Sequence, residues 1–136
     1  PFLLGVVILI LKKFIQKVSE WIHDVEPSVR IEIAGWLAFF PNKRKAALDR
    51  LVKDLKHSDW AVALQACRAI ELLGSKANPV LETMKKLYAK TRHEPGDNNF
   101  FIAFSSGAFL DKLGEKTVPW DFTPGAGSFM PPKKKK

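Results

Sequence analysis

Apolar residues recur at intervals of three and four along most of this chain, the spacing of helices with one buried face. Leu48, Leu51, Val52 and Leu55 follow i, i+3, i+4, i+7, and Val62, Ala66, Cys67, Ala69, Ile70 and Leu73 do the same. The second set includes small residues, where a neighbouring helix can come close. No run alternates with period two, so no sheet is predicted. The pattern predicts a helix over about 6–23, pairs at 27–39 with 43–56 and at 59–73 with 79–91, and a last helix over about 98–113. Boundary residues agree. Pro27 suits a first turn, and Asn78-Pro79 reads as cap and first helical residue. Pro41 reads as the end of a helix, while Gly74 and Gly114 fall where a C-terminal residue with positive φ is wanted.

The pattern also repeats, with a period of about 33 residues that lies in the range of helical-repeat proteins. At that shift Ile15, Leu48 and Leu81 coincide, as do Val18, Leu51 and Met84, and Ile22, Leu55 and Tyr88. Val29 falls on Val62, Ile31 on Leu64, Ala34 on Cys67 and Leu37 on Ile70. A third copy follows at a somewhat longer interval, where Leu73-Gly74 returns as Leu113-Gly114, Lys76 as Lys116 and Pro79 as Pro119. The change of period falls in the loop around Arg92-His93-Glu94-Pro95-Gly96-Asp97. Helix pairs of this size cannot hide their apolar faces alone and must stack. The expected fold is all-α: a short right-handed α-solenoid of about three helix pairs over residues 1–122. Residues 123–136, rich in Gly, Pro and Lys, are too poor in apolar side chains to fold alone and read as a flexible, disordered tail.

Residues 2–11 are an apolar run that stops at Lys12-Lys13. Roughly 20 apolar residues span a bilayer, so this run predicts no transmembrane helix. A signal peptide carries its positive charges ahead of its apolar run, and here they follow it. The run is expected to be a buried helix covered by an earlier part of a longer chain, with a clipped membrane or export segment as the lesser alternative.

The composition, 46% hydrophobic and 26% charged, is that of a folded domain. The single cysteine, Cys67, rules out an intrachain disulfide. The net charge is +8, half of it from the four lysines at 133–136, a run expected to act as a solubilising tail. The excess favours acidic partners without naming one.

Pro27-Ser28-Val29-Arg30-Ile31-Glu32-Ile33-Ala34 resembles the start of a HEAT repeat, whose first helix opens with Asp-Pro, then Val-Arg and an alanine pair. Ser58-Asp59-Trp60-Ala61-Val62, continuing through Ala69-Ile70-Glu71-Leu72-Leu73-Gly74, resembles it again, and the likeness covers roughly residues 15–120. Glu26 replaces the expected Asp, Ala63 and Ala103 replace Arg, and Ser106-Gly107 replaces the alanine pair. These departures weaken the regularity of any superhelix. More narrowly, residues 46–55, 60–74 and 101–114 look like the HEAT-like C-terminal extension of some bacterial sulfatases. That family's nucleophile motif, Cys-x-Pro-Ser-Arg, is absent, because Arg68-Ala69-Ile70-Glu71 follows Cys67. The resemblance implies an appendage of a sulfatase, periplasmic or secreted; otherwise a cytoplasmic location is expected.

No active site is legible, and no cofactor or metal site is expected. Cys67 lies on the small-residue face of its helix and reads as a buried structural thiol. His23, His57 and His93 fall at helix ends or loops, with no i, i+4 pair. His23-Asp24 and His57-Ser58-Asp59 occupy nearly equivalent repeat positions and read as helix-end polar groups. Gly125-Ala126-Gly127-Ser128 has no following helix and makes no phosphate loop. Asp49 and Asp54 are expected on an exposed charged face, without the burial that tunes acid-base groups.

Basic residues recur on the second helices, with Lys17 falling on Arg50 and Lys53 on Lys86 at the repeat shift, joined by Lys56, Lys85 and Lys90. The resemblance implies that these helices line a concave surface, which makes the seven a candidate strip for an acidic ligand. Glu20, Asp49, Asp54 and Glu82 dilute it, and a solvated charged face is the plainer reading. Trp21, Trp36, Trp60 and Trp120 read chiefly as packing residues, with Trp60, at a helix start, the candidate exposed anchor. The expected function is protein interaction or scaffolding, with another domain or subunit as partner. Nucleic-acid binding through the basic face is the weaker alternative.

Overall fold

The structure, a computed structural model, describes residues 1–21, 26–94 and 96–117, with Trp21 by its backbone alone. The described residues form helices joined by turns, with no strand among them. Helix α1 runs Phe2–Trp21, α2 Pro27–Leu37, α3 Pro41–Asp54 and α4 Trp60–Leu73. A 3-10 segment, Gly74–Val80, leads into α5, Leu81–Thr91, and α6 spans Asp97–Lys112. His23-Asp24, Trp120, the tail at 123–136 and its lysines lie outside the described residues.

Helix α1 begins at Phe2, ahead of the expected start near residue 6, and two further boundaries differ from expectation at prolines. Pro41 opens α3 instead of closing α2. Proline lacks an N–H, and the first turn of a helix needs none, so a residue that stops one helix serves equally well to start the next. The carbonyl of Phe40 accepts from the N–H groups of Lys43 and Arg44, and Arg44 Nε donates back to the Ala38 carbonyl at 2.8 Å, covering the end of α2. Pro79 lies inside the 3-10 segment, and α5 opens two residues later, at Leu81. A proline disfavours α geometry in the residue before it, and the tighter path through Asn78 accommodates this. The glycine expectations hold: Gly74 has φ +54° and Gly114 φ +73°, conformations that cost other residues strain. Asp59 caps α4 by accepting from the Ala61 N–H at 2.9 Å.

Helix α4 is the centre of the body, packed against α2, α3 and α6. Helix α2 pairs with α3 as expected. The expected pairing of α4 with α5 is not formed, because α5 packs instead on α6 and the 3-10 segment. One core joins these elements, from Ile31, Ala34 and Leu37 through Leu48, Leu51, Cys67, Ile70 and Met84 to Phe109 and Leu110. Some positions one repeat apart share the same fate, since Ala34 and Cys67 are both fully buried, as are Leu51 and Met84, but Val29 is 48% exposed where Val62 is buried.

Helix α1 does not share in this core. Every residue from Pro1 to Phe14 is exposed, against the expectation of a buried helix. Only its last turns are seated, with Ile15, Val18 and Ser19 half-buried beside α2.

Candidate functional site

The helices of the body turn one face inward and leave another rich in apolar side chains. In α2 the buried positions are Arg30, Ile31, Ala34 and Leu37, which places Glu32 and Trp36 on the opposite side, followed by Phe39 in the turn. In α4 the same helical spacing leaves Leu64, Gln65, Arg68 and Leu72 outward. In α6 it leaves Phe101 and Phe104. Between α2 and α4 these residues enclose an open groove of about 480 Å³, floored by Gly35 and Ala69 and rimmed by Trp36, Phe39 and Leu72. A second groove, of about 390 Å³, lies between α4 and α6 and is lined by Phe100, Phe101, Phe104 and Ser105. Leu64 and Arg68 line both, so the two grooves meet across α4.

Ring contacts hold the aromatic rims. Trp36 meets Phe40 edge-on at 5.1 Å and Phe14 of α1 at 6.4 Å, and Phe100 meets Phe101 at 5.3 Å. Lys76 Nζ stands 5.3 Å from the Phe39 ring centre, a cation over an aromatic face. The exposed areas are large for apolar side chains: Leu72 is 71% exposed, Phe104 57% and Phe39 52%.

Two buried carboxylates hold the helices that carry these grooves. Asp54, at the end of α3, is 2% exposed, which corrects the expectation of an exposed charged face. Arg30 of α2 grips it with two bonds, Nη2 to Oδ1 at 2.8 Å and Nε to Oδ2 at 3.2 Å. Arg50 adds two more, at 3.2 and 3.3 Å. Burial alone would push the Asp54 carboxyl up, but the two guanidiniums outweigh it and hold the carboxyl below its ordinary value. Asp49 stays exposed, paired with Lys45 at 2.8 Å. Glu71 of α4 is the second buried carboxylate. Its Oε2 accepts from Ser105 Oγ of α6 at 2.8 Å and from Arg68 Nη1 at 3.0 Å, while Lys112 Nζ lies 3.5 Å from Oε1. Lys112 also donates to the Glu71 carbonyl at 3.3 Å, placing a cation at the C-terminal end of α4.

Sequence reasoning missed both. A signal for the first existed: one repeat beyond Arg30 and Asp54 stand Ala63 and Leu87, so charge is present or absent at both positions together.

The seven basic residues do not act alike. Arg50 is turned inward on Asp54, and Lys85 bridges Glu82 at 3.2 Å and Glu115 at 3.0 Å. Lys53 and Lys56 are exposed on and just after α3, Lys86 and Lys90 on α5, and Lys17 on α1. Trp60 is 42% exposed at the start of α4, and Trp36, read as packing, is equally open at 43%. Cys67 is fully buried, and burial pushes its thiol up to about 12. His57 Nδ1 accepts from the Asp59 N–H at 3.0 Å, and His93 Nε2 accepts from Arg92 Nε at 2.9 Å. Among the described residues no group of three or more His, Cys, Asp or Glu is placed to hold a metal ion.

Fold and surface together define an all-α protein with an apolar groove along one row of helices. The chain matches no protein-family model, no curated protein and no solved structure.

Proposed function

We propose that this chain is a non-catalytic helical-repeat module, a short right-handed solenoid of HEAT-like pairs, that binds another protein along the groove formed by α2, α4 and α6. One observation carries the reading: the two grooves meet at Leu64 and Arg68, so Trp36, Phe39, Leu72, Phe101 and Phe104 rim one connected surface. Single exposed apolar residues are ordinary, but a contiguous patch of them leaves water against apolar surface that a partner can cover. Aromatic side chains and arginine are also the residues that most often anchor interfaces, and Arg68 sits where the grooves join. A helix with one apolar stripe suits such a groove best, its bulky side chains dropping in at intervals of three and four. The surface lies on the first helices of the pairs, not on the second helices that carry the basic residues.

Selection of helical peptides from a displayed library on the intact chain tests this. The expected result is amphipathic sequences whose affinity falls at least tenfold in Leu72→Glu/Phe104→Glu and is unchanged in Lys53→Glu/Lys86→Glu. Peptides lost from the second variant and retained by the first would overturn the groove and favour the basic face.

A further inference from the structure

Helix α1 offers a surface of another kind. From Phe2 to Leu11 every residue but Gly5 is apolar and large, and exposure runs from 38% at Val6 to 84% at Phe2. The stretch stands clear of the body because only the lower turns of α1 are fixed, by Phe14 against Trp36 and by Lys43 Nζ donating to Gln16 Oε1 at 2.9 Å. At 100° per residue, Leu3, Leu4, Val6, Val7, Ile8, Leu9, Ile10 and Leu11 cover the whole circumference. No face is polar.

That circumference discriminates among the surroundings the helix can take. A partner groove, or a second α1 in a two-stranded coil, covers one stripe and leaves the rest to water, so a helix built for either keeps polar residues on its far side. A helix lying flat on a membrane likewise needs a polar face. Two surroundings cover every side, the interior of a larger fold and hydrocarbon, and the cations that border this stretch favour the second. No helix of the described residues is long and apolar enough to cross a membrane. Directly below the apolar stretch stand Lys12 and Lys13, with Lys17 one turn further, all exposed. Cations at that level complement anionic lipid headgroups.

We propose that residues 2–11 of α1 insert into the hydrocarbon of an anionic bilayer, with Lys12, Lys13 and Lys17 at the headgroups, tethering the helical body to the membrane surface. The tether rests on α1 alone and is independent of the groove.

Flotation of the full chain with vesicles of phosphatidylcholine and phosphatidylglycerol tests it. The chain is expected to float, and Ile8→Glu is expected to leave it in the aqueous fraction with an unchanged thermal melt, because Ile8 touches no core. Lys12→Gln/Lys13→Gln is expected to weaken binding roughly 10- to 30-fold, at about a fivefold loss per lysine. Insertion is read separately with Leu4→Cys carrying an environment-sensitive fluorophore, since the buried Cys67 thiol stays unlabelled in the native fold. Quenching by lipids labelled in mid-chain, and not by lipids labelled at the headgroup, is the expected result. Three results overturn the proposal: no flotation, flotation that survives Ile8→Glu, or a fluorophore already shielded without vesicles in a particle of twice the chain's mass. The last assigns α1 to a second copy.

Discussion

Asp54 and Glu71 are both buried carboxylates with two cations each, yet they do different structural jobs. Asp54 closes a helix pair, because Arg30 comes from α2 and Arg50 from α3 itself. Its cations are shut in with it, their side chains 10% and 16% exposed. Glu71 joins α4 to α6 through Ser105 and Lys112, and its cations are open to water, Arg68 at 51% and Lys112 at 49%. The difference decides how far solvent screens each site. A charge pair sealed from water gives up hydration and must recover it in geometry, so losing one partner is severe. A pair whose cations remain hydrated loses little when the carboxylate goes. The first site fixes one pair rigidly, and the second fastens that pair's neighbour adjustably to the next helix.

Removing the charge of Asp54 is the strongest way to break this comparison. Asp54→Asn keeps the shape and leaves two guanidiniums facing a neutral amide, and a loss of roughly 2–4 kcal/mol in unfolding free energy is expected. Urea melts of both proteins measure it. The loss has a pH signature whose sign follows from the lowered carboxyl: the stabilisation is fully present above the ordinary value near 3.8 and disappears as pH falls through the folded value below it. The gap between wild type and Asp54→Asn is therefore constant at neutral pH and narrows only in acid. A gap that narrows between pH 6 and 8 would mean another group is responsible.

Glu71→Gln sharpens the same contrast at smaller amplitude. The amide still accepts from Ser105, and the two hydrated cations turn to solvent, so about 0.5–1.5 kcal/mol is expected. Salt separates the two sites further. In 1 M salt the Debye length shrinks to about 3 Å, so the Glu71→Gln loss should fall by roughly half while the Asp54→Asn loss persists. Equal salt sensitivity would show that water reaches Asp54 as freely as Glu71.

How much of this was legible in the sequence depended on what each residue type constrains. Periodicity located the helices, because burying one stripe of Leu48, Leu51 and Leu55 admits few other conformations. Gly74 and Gly114 marked turns because positive φ excludes most other residues. Prolines were ambiguous, since Pro41 satisfies the steric conditions for ending one helix and for starting the next. Charged residues misled most. A periodic pattern assigns Asp54 to a helix face but does not say which distant cation will cover it. The groove was hidden for a related reason: Leu64, Leu72 and Phe104 keep the helical apolar rhythm, and only the packing of three helices settles which of them stay outside. The stretch from Phe2 to Leu11 of α1 defeated the reading by having no polar face from which to tell inside from outside.

The smallest effect runs in the opposite direction and tests the contact between α2 and α4 that both carboxylates leave alone. Gly35 lies inside α2 with ordinary helical backbone, where glycine costs roughly 0.5–1 kcal/mol relative to alanine through the freedom it has when unfolded. A methyl there would meet Ala69 Cβ at 3.8 Å, ordinary contact distance, with nothing nearer to displace. Gly35→Ala is therefore expected to stabilise the chain by about 0.5–1 kcal/mol, a rise of roughly 2–5 °C in Tm. The same methyl raises the floor of the groove between α2 and α4, so a peptide seated there should bind a few-fold more weakly while the fold grows more stable. Calorimetry and peptide titration on one variant then separate the two roles of this helix crossing. A fall in Tm would mean that α2 and α4 approach too closely to admit the methyl, and undiminished peptide binding would place the peptide elsewhere on the row of helices.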